Sequence, residues 1–135
     1  MYVLSISTLF LLIPLYIFIT NTNKNMYEAI LALFLTINVI VSFIFWMNPI
    51  HHSRVHYYDG VFGKITFAMV TIYVLFIKRM NETARTMFHL ILATSLILFY
   101  ISDTCSTKEW CCRQHVICHF IFHFVISIGC IFAFI

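Results

Sequence analysis

An all-α polytopic bundle of about five transmembrane helices is the fold this sequence predicts, on three observations. Hydrophobic residues make up 62% of the chain and charged residues only 10%, and mean hydropathy is +0.97, outside the range of soluble globular domains. Apolar runs occupy about 1–20, 27–47, 61–78, 86–102 and 114–135, each near the roughly 20 residues that cross the hydrocarbon as a helix. The stretches between them, about 21–26, 48–60, 79–85 and 103–113, are short enough to pack consecutive helices antiparallel, as a single domain over residues 1–135.

The first run lacks a basic leading region, and no small-x-small cleavage site precedes Asn21, so it reads as a span rather than a signal peptide. Pro14 predicts a kink that membrane helices tolerate. The second run is nearly unbroken. The third carries Lys64 near one end, where a long stem snorkels to the interface. Before it comes WMNPIHHSRVHYYDGVFGK, residues 46–64, where Asn48 as N-cap and Pro49 at the first helical position predict a helix start near residue 49. On such a helix His52 or Ser53, then His56, Asp59 and Gly63 share one face. Gly60 and Gly63 let a helix or ligand approach closely. The fourth run is short, and the glycosylation acceptor Asn81-Glu82-Thr83 lies too near the bilayer for occupancy. The fifth contains HVICHFIFHF, residues 115–124, with imidazoles at His115, His119 and His123 on one stripe.

Charge and cysteine content exclude several classes. A net charge of +3, with the basic residues at span ends, gives no nucleic-acid surface. Lys24, Lys78, Arg79 and Arg85 fall on one side and Arg54, Lys64, Lys108 and Arg113 on the other, so the positive-inside rule assigns no orientation. Five cysteines without a CxxC make no disulfide framework, and Cys111 and Cys112 read as packing or palmitoylation positions beside the membrane. Trp46, Tyr57, Tyr58 and Trp110 read as interfacial belt residues, and the phenylalanines as lipid contacts and packing.

Span parity brings polar residues together. Chain direction reverses with each crossing, and two crossings separate linkers 48–60 and 103–113, so the two share a leaflet, and His119 and His123 lie about 8 and 14 Å along the last helix from residue 114. His56 and Asp59 reach that level, whereas His89 belongs to the opposite leaflet; His51 and His115 read as interfacial. Two histidines at i and i+4 present their rings to one metal ion, and a third from another helix completes a three-nitrogen zinc set with an open position. Asp59, one of two aspartates with Asp103, is then a base for water. The competing reading is that HxxxH is a short pattern and that imidazoles also bond across helices with no metal. Bis-histidine haem is a third reading, and leaves the carboxylate without a role.

A Ser and a His near the end of the second helix, an Asp at the start of the next and HxxxH at the start of the last form a pattern that resembles the alkaline ceramidase, adiponectin-receptor and hemolysin III superfamily. CHFIFHFVISIG, residues 118–129, is similar to that family's final-helix signature. The resemblance implies zinc bound by His119 and His123, Asp59 assisting water, and hydrolysis of a lipid amide or ester, or a receptor-like relative that keeps the site. It covers about 42–64 and 115–129. Two departures stand out: the family core has seven spans against five here, and Trp46 follows Ser42 where a histidine is expected. The third ligand then comes from His51, His52 or His56. His56 is preferred because it lies one turn before Asp59, and Ser53, a turn earlier, is assigned as the family serine. The alternative is a non-enzymatic membrane protein whose histidines serve helix packing, oligomerisation or lipid binding.

Overall fold

The computed structural model describes residues 2–135; residue 1, where the first expected span begins, lies outside the described residues. Five helices form the chain: α1 (Tyr2–Thr20), α2 (Met26–Met47), α3 (Arg54–Ile77), α4 (Glu82–Lys108) and α5 (Arg113–Phe134), each long and apolar enough to cross a membrane. No strand occurs among the described residues. The chain is thus an all-α, multi-pass helical bundle. Its core joins Leu11 and Leu15 of α1, Leu31 and Leu35 of α2, Val70 and Val74 of α3, Phe88 of α4 and Phe132 to Phe134 of α5.

Pro14 shapes α1 as its chemistry requires. It has no N–H to give the Phe10 carbonyl one turn earlier, and the helix tightens to a 3₁₀ turn over Leu9–Leu11. Ser127 Oγ of α5 donates to that carbonyl at 2.6 Å. The broken ladder therefore becomes an interhelical contact.

α2 opens on a capping box: Asn25 Oδ1 accepts from the Glu28 N–H at 2.9 Å, and Glu28 Oε2 from the Asn25 N–H at 3.3 Å. Its end corrects the expectation for the following linker. Asn48 and Pro49 do not start α3. Asn48 closes α2, with φ −144° and ψ 78°, because proline drives its predecessor out of the helical region. Ser53 caps α3 instead, accepting from the His56 N–H at 3.1 Å.

α3 ends in a widened turn over Tyr73–Ile77, closed by Lys78 N–H to Tyr73 O at 2.8 Å. That turn brings Lys78 onto the far end of α5, where Nζ donates to Ala133 O at 2.9 Å. Asn21 Nδ2 donates to Phe134 O at 2.9 Å. Orphan carbonyls at a helix C-terminus are thus met by a cation and an amide.

α4 is longer than the apolar run 86–102. Asn81 caps it, accepting from the Ala84 N–H at 2.8 Å, and it continues to Lys108. In its polar last turns hydroxyls bond back along the helix, Thr104 to Tyr100 O at 2.8 Å and Thr107 to Thr104 O at 2.9 Å, which satisfies them without a partner from another helix. The α2–α3 and α4–α5 turns meet at one end of the bundle: Trp110 Nε1 donates to Pro49 O at 3.2 Å, and the Trp110 ring stacks on His51 with centroids 4.2 Å apart.

Candidate functional site

Below that end lies a cavity of about 200 Å³. Ser42 and Asn38 reach it from α2, Asp59 and Thr66 from α3, Ser95 from α4, and His119 and His123 from α5. Apolar side chains, among them Leu35, Phe67, Phe99, Phe122 and Ile126, make up most of the remaining wall. Gly60 and Gly63 keep the α3 side open: a Cβ on Gly60 meets nothing within 4 Å, and one on Gly63 meets only Asn38 Oδ1 at 3.7 Å.

The acid and both histidines of the cavity are each hydrogen-bonded to a serine. Asp59 Oδ1 accepts the Ser42 hydroxyl. The hydroxyl of Ser7 in α1 donates to Leu4 O at 2.8 Å, so its oxygen accepts from His123 Nδ1, 2.7 Å away. One hydroxyl proton cannot serve both bonds. His123 therefore carries its proton on Nδ1 and keeps the lone pair on Nε2, the arrangement in which a histidine is oriented for a metal by a second hydrogen bond. His119 Nδ1 pairs with Ser102 Oγ of α4 at 3.0 Å. The two rings lie 4.6 Å apart, nearly perpendicular. Asn38 Oδ1 and Thr66 Oγ1 are buried with no protein partner among the described residues, so the cavity offers acceptors for a polar group.

The five residues singled out from sequence divide. Asp59, His119 and His123 line the same cavity; His56 and Ser53 do not. Ser53 is spent as the α3 cap. His56 lies flat on Phe45, with centroids 4.9 Å apart and planes at 8°. Trp46, one turn beyond Ser42, packs its ring 4.8 Å from that of His119 and does not line the cavity. The cavity thus holds two neighbouring imidazoles and a carboxylate, but among the described residues the three metal-ligating side chains that converge on one point are His51, His52 and His56, outside it.

Three partners were not singled out from sequence. No histidine follows Ser42 one turn later, yet Asn38 and Ser42 are polar residues four apart in a helix whose other polar residues are Glu28 and Thr36, which marks an inward stripe. Ser7 and Ser102 give no comparable signal, since serines are common in membrane helices. His115, expected at the interface, is buried; its Nδ1 accepts the Cys111 N–H at 3.2 Å, and its ring packs against Trp110 at 5.1 Å.

The fold and this cluster define a class: a multi-pass helical membrane protein with an acid, a serine and two histidines gathered inside the bundle. No family model matches the chain, and neither a curated protein nor a solved structure matches it.

Proposed function

We propose that the chain is a membrane-embedded, zinc-dependent hydrolase of a lipid amide or ester, in the manner implied by its resemblance to the alkaline ceramidase, adiponectin-receptor and hemolysin III superfamily. The observation that carries this reading is the meeting of Ser42, Asp59, His119 and His123 in one mostly apolar cavity. His119 and His123 would hold the metal. When bound, zinc supplies Lewis-acid polarisation of a carbonyl and a lowered pKa for water.

The remaining roles fall to the chain's own residues. Ser42 fixes the Asp59 carboxylate through Oδ1, leaving Oδ2 to take a proton from attacking water. Ser7 and Ser102 hold the imidazoles in place. Asn38 Oδ1 accepts from an amide N–H or a hydroxyl of the substrate. The apolar wall takes the start of an acyl chain; at about 200 Å³ the cavity is smaller than the about 300–1,000 Å³ of pockets that enclose whole small ligands, so the rest of a lipid stays in the bilayer.

The test is metal analysis of purified protein, followed by incubation with a ceramide and with a fatty-acyl ester in mixed micelles. The reading expects stoichiometric zinc and fatty-acid release, both lost in the His119→Ala/His123→Ala variant. Metal-free wild-type protein that stays inactive after zinc is added ends it. A second reading is favoured by the serine bonds themselves: His123–Ser7 ties α5 to α1 and His119–Ser102 ties it to α4, so that the histidines act as interhelical staples. On that reading the same variant loses only stability.

A further inference from the structure

We infer that His51, His52 and His56 form a separate metal site at the end of the bundle, a three-imidazole cradle for a divalent transition-metal cation of the class that prefers nitrogen ligands. It does not rest on the hydrolase reading and shares no residue with the cavity.

One ligand nitrogen from each of the three lies within 4.8 Å of the others. Closing that triangle around an ion needs only small ring movements to reach metal–nitrogen distances of about 2.0–2.1 Å. A neutral set of three imidazoles, with no carboxylate in the group, suits Cu²⁺ and Zn²⁺ and not Mg²⁺ or Ca²⁺.

The backbone prepares the site. His52 N–H donates to His56 Nδ1 at 3.1 Å, which fixes the neutral ring with its lone pair on Nδ1, the form that binds a metal through that atom. The bond is exposed, so a cation replaces it and the freed N–H turns to water at small cost. His52 adopts φ 60°, a left-handed conformation uncommon for a residue with a side chain. Such conformations gather at ligand sites, where the surroundings hold them.

The other rings are braced as well. His51 stacks on Trp110, itself held to Pro49 O, and His56 stacks on Phe45. The side chains of His51 and His52 make no hydrogen bond to any described residue, so their nitrogens remain available. Ligands seated on rigid apolar faces lose little freedom on binding.

Cu²⁺ titration of the full chain in detergent tests the proposal, read by electron paramagnetic resonance and by tryptophan fluorescence, since Trp110 lies against His51. One equivalent of Cu²⁺ with nitrogen hyperfine structure and quenched fluorescence is expected, at a Kd below about 10 µM. His52→Gly suits the local φ and removes a ligand without disturbing the fold; combined with His51→Ala, it abolishes this equivalent. His119→Ala/His123→Ala leaves it intact, and any equivalent that this second variant does remove belongs to the bundle cavity. Wild-type protein that binds no Cu²⁺ in this range, or a nitrogen-bound equivalent count unchanged in His51→Ala/His52→Gly, overturns the proposal.

Discussion

Glu28→Ala tests the packing that sets the far end of the bundle. Glu28 Oε1 accepts from the Tyr73 hydroxyl at 2.9 Å and from Lys78 Nζ at 3.4 Å, while Oε2 takes the Asn25 N–H. Both charged side chains are nearly buried, at 14% exposure for Lys78 and 6% for Glu28. Truncation leaves the Lys78 cation with the Ala133 carbonyl and the Tyr73 ring face 5.9 Å away, and a buried charge stripped of its ionic partner costs about 3–5 kcal/mol. The lost Tyr73 bond, worth about 1.5–3 kcal/mol to a charged acceptor, converges on the same oxygen and is part of that figure. Lys78→Met costs less, because Glu28 keeps two donors. The double variant should recover about 1–3 kcal/mol against the sum of the singles. Unfolding by SDS in mixed micelles, followed by circular dichroism, measures all three. A Glu28→Ala loss under about 1 kcal/mol, or single effects that add within about 0.5 kcal/mol, would refute the contact network and the close approach of α2, α3 and α5 it represents.

Gly60→Leu puts a side chain into open space at the cavity wall; it should leave stability within about 1 kcal/mol of wild type while abolishing lipid hydrolysis, and full retention of turnover would place the chemistry elsewhere. Ser127→Ala leaves the Phe10 carbonyl, which Pro14 cannot serve, with only the Leu12 N–H, at a cost of about 0.5–1.5 kcal/mol in the same unfolding assay. Adding Pro14→Ala restores an N–H donor and should cancel most of that loss. Ser42→Ala removes the hydroxyl from Asp59 and should lower kcat about 10- to 100-fold, the equivalent of one hydrogen bond to a charged group, with zinc content unchanged by elemental analysis. Gly129→Ala brings a Cβ to 3.3 Å from Ile91 Cγ2, so a small destabilisation of about 1 kcal/mol is expected, carried by the α4–α5 contact.

Ser53 and His56 show where reading the chain stops. Both sit at helical spacing from Asp59, and periodicity puts them on its stripe. Yet the first turn of α3 spends Ser53 on a backbone N–H, and the turn at His52 draws His56 toward the loop. Spacing reports the face of an ideal helix, whereas an end residue answers to the cap and the turn before it. Ser42 is the converse case: Asn38 one turn earlier marks it as facing inward, but its pairing with Asp59 depends on the rotation of α2 against α3.

The sequence alone determined that five helices are long and apolar enough to cross a membrane, since length and hydropathy are set residue by residue and need no partner. It also placed Asp59, His119 and His123 toward one end of the bundle, because direction reverses at every crossing. Only the tertiary structure decided which serine meets the acid, that Trp46 packs against His119, and that three other histidines gather at the loop. Those outcomes depend on how side chains of neighbouring helices interlock about their axes, a relation between elements that no single stretch of chain encodes.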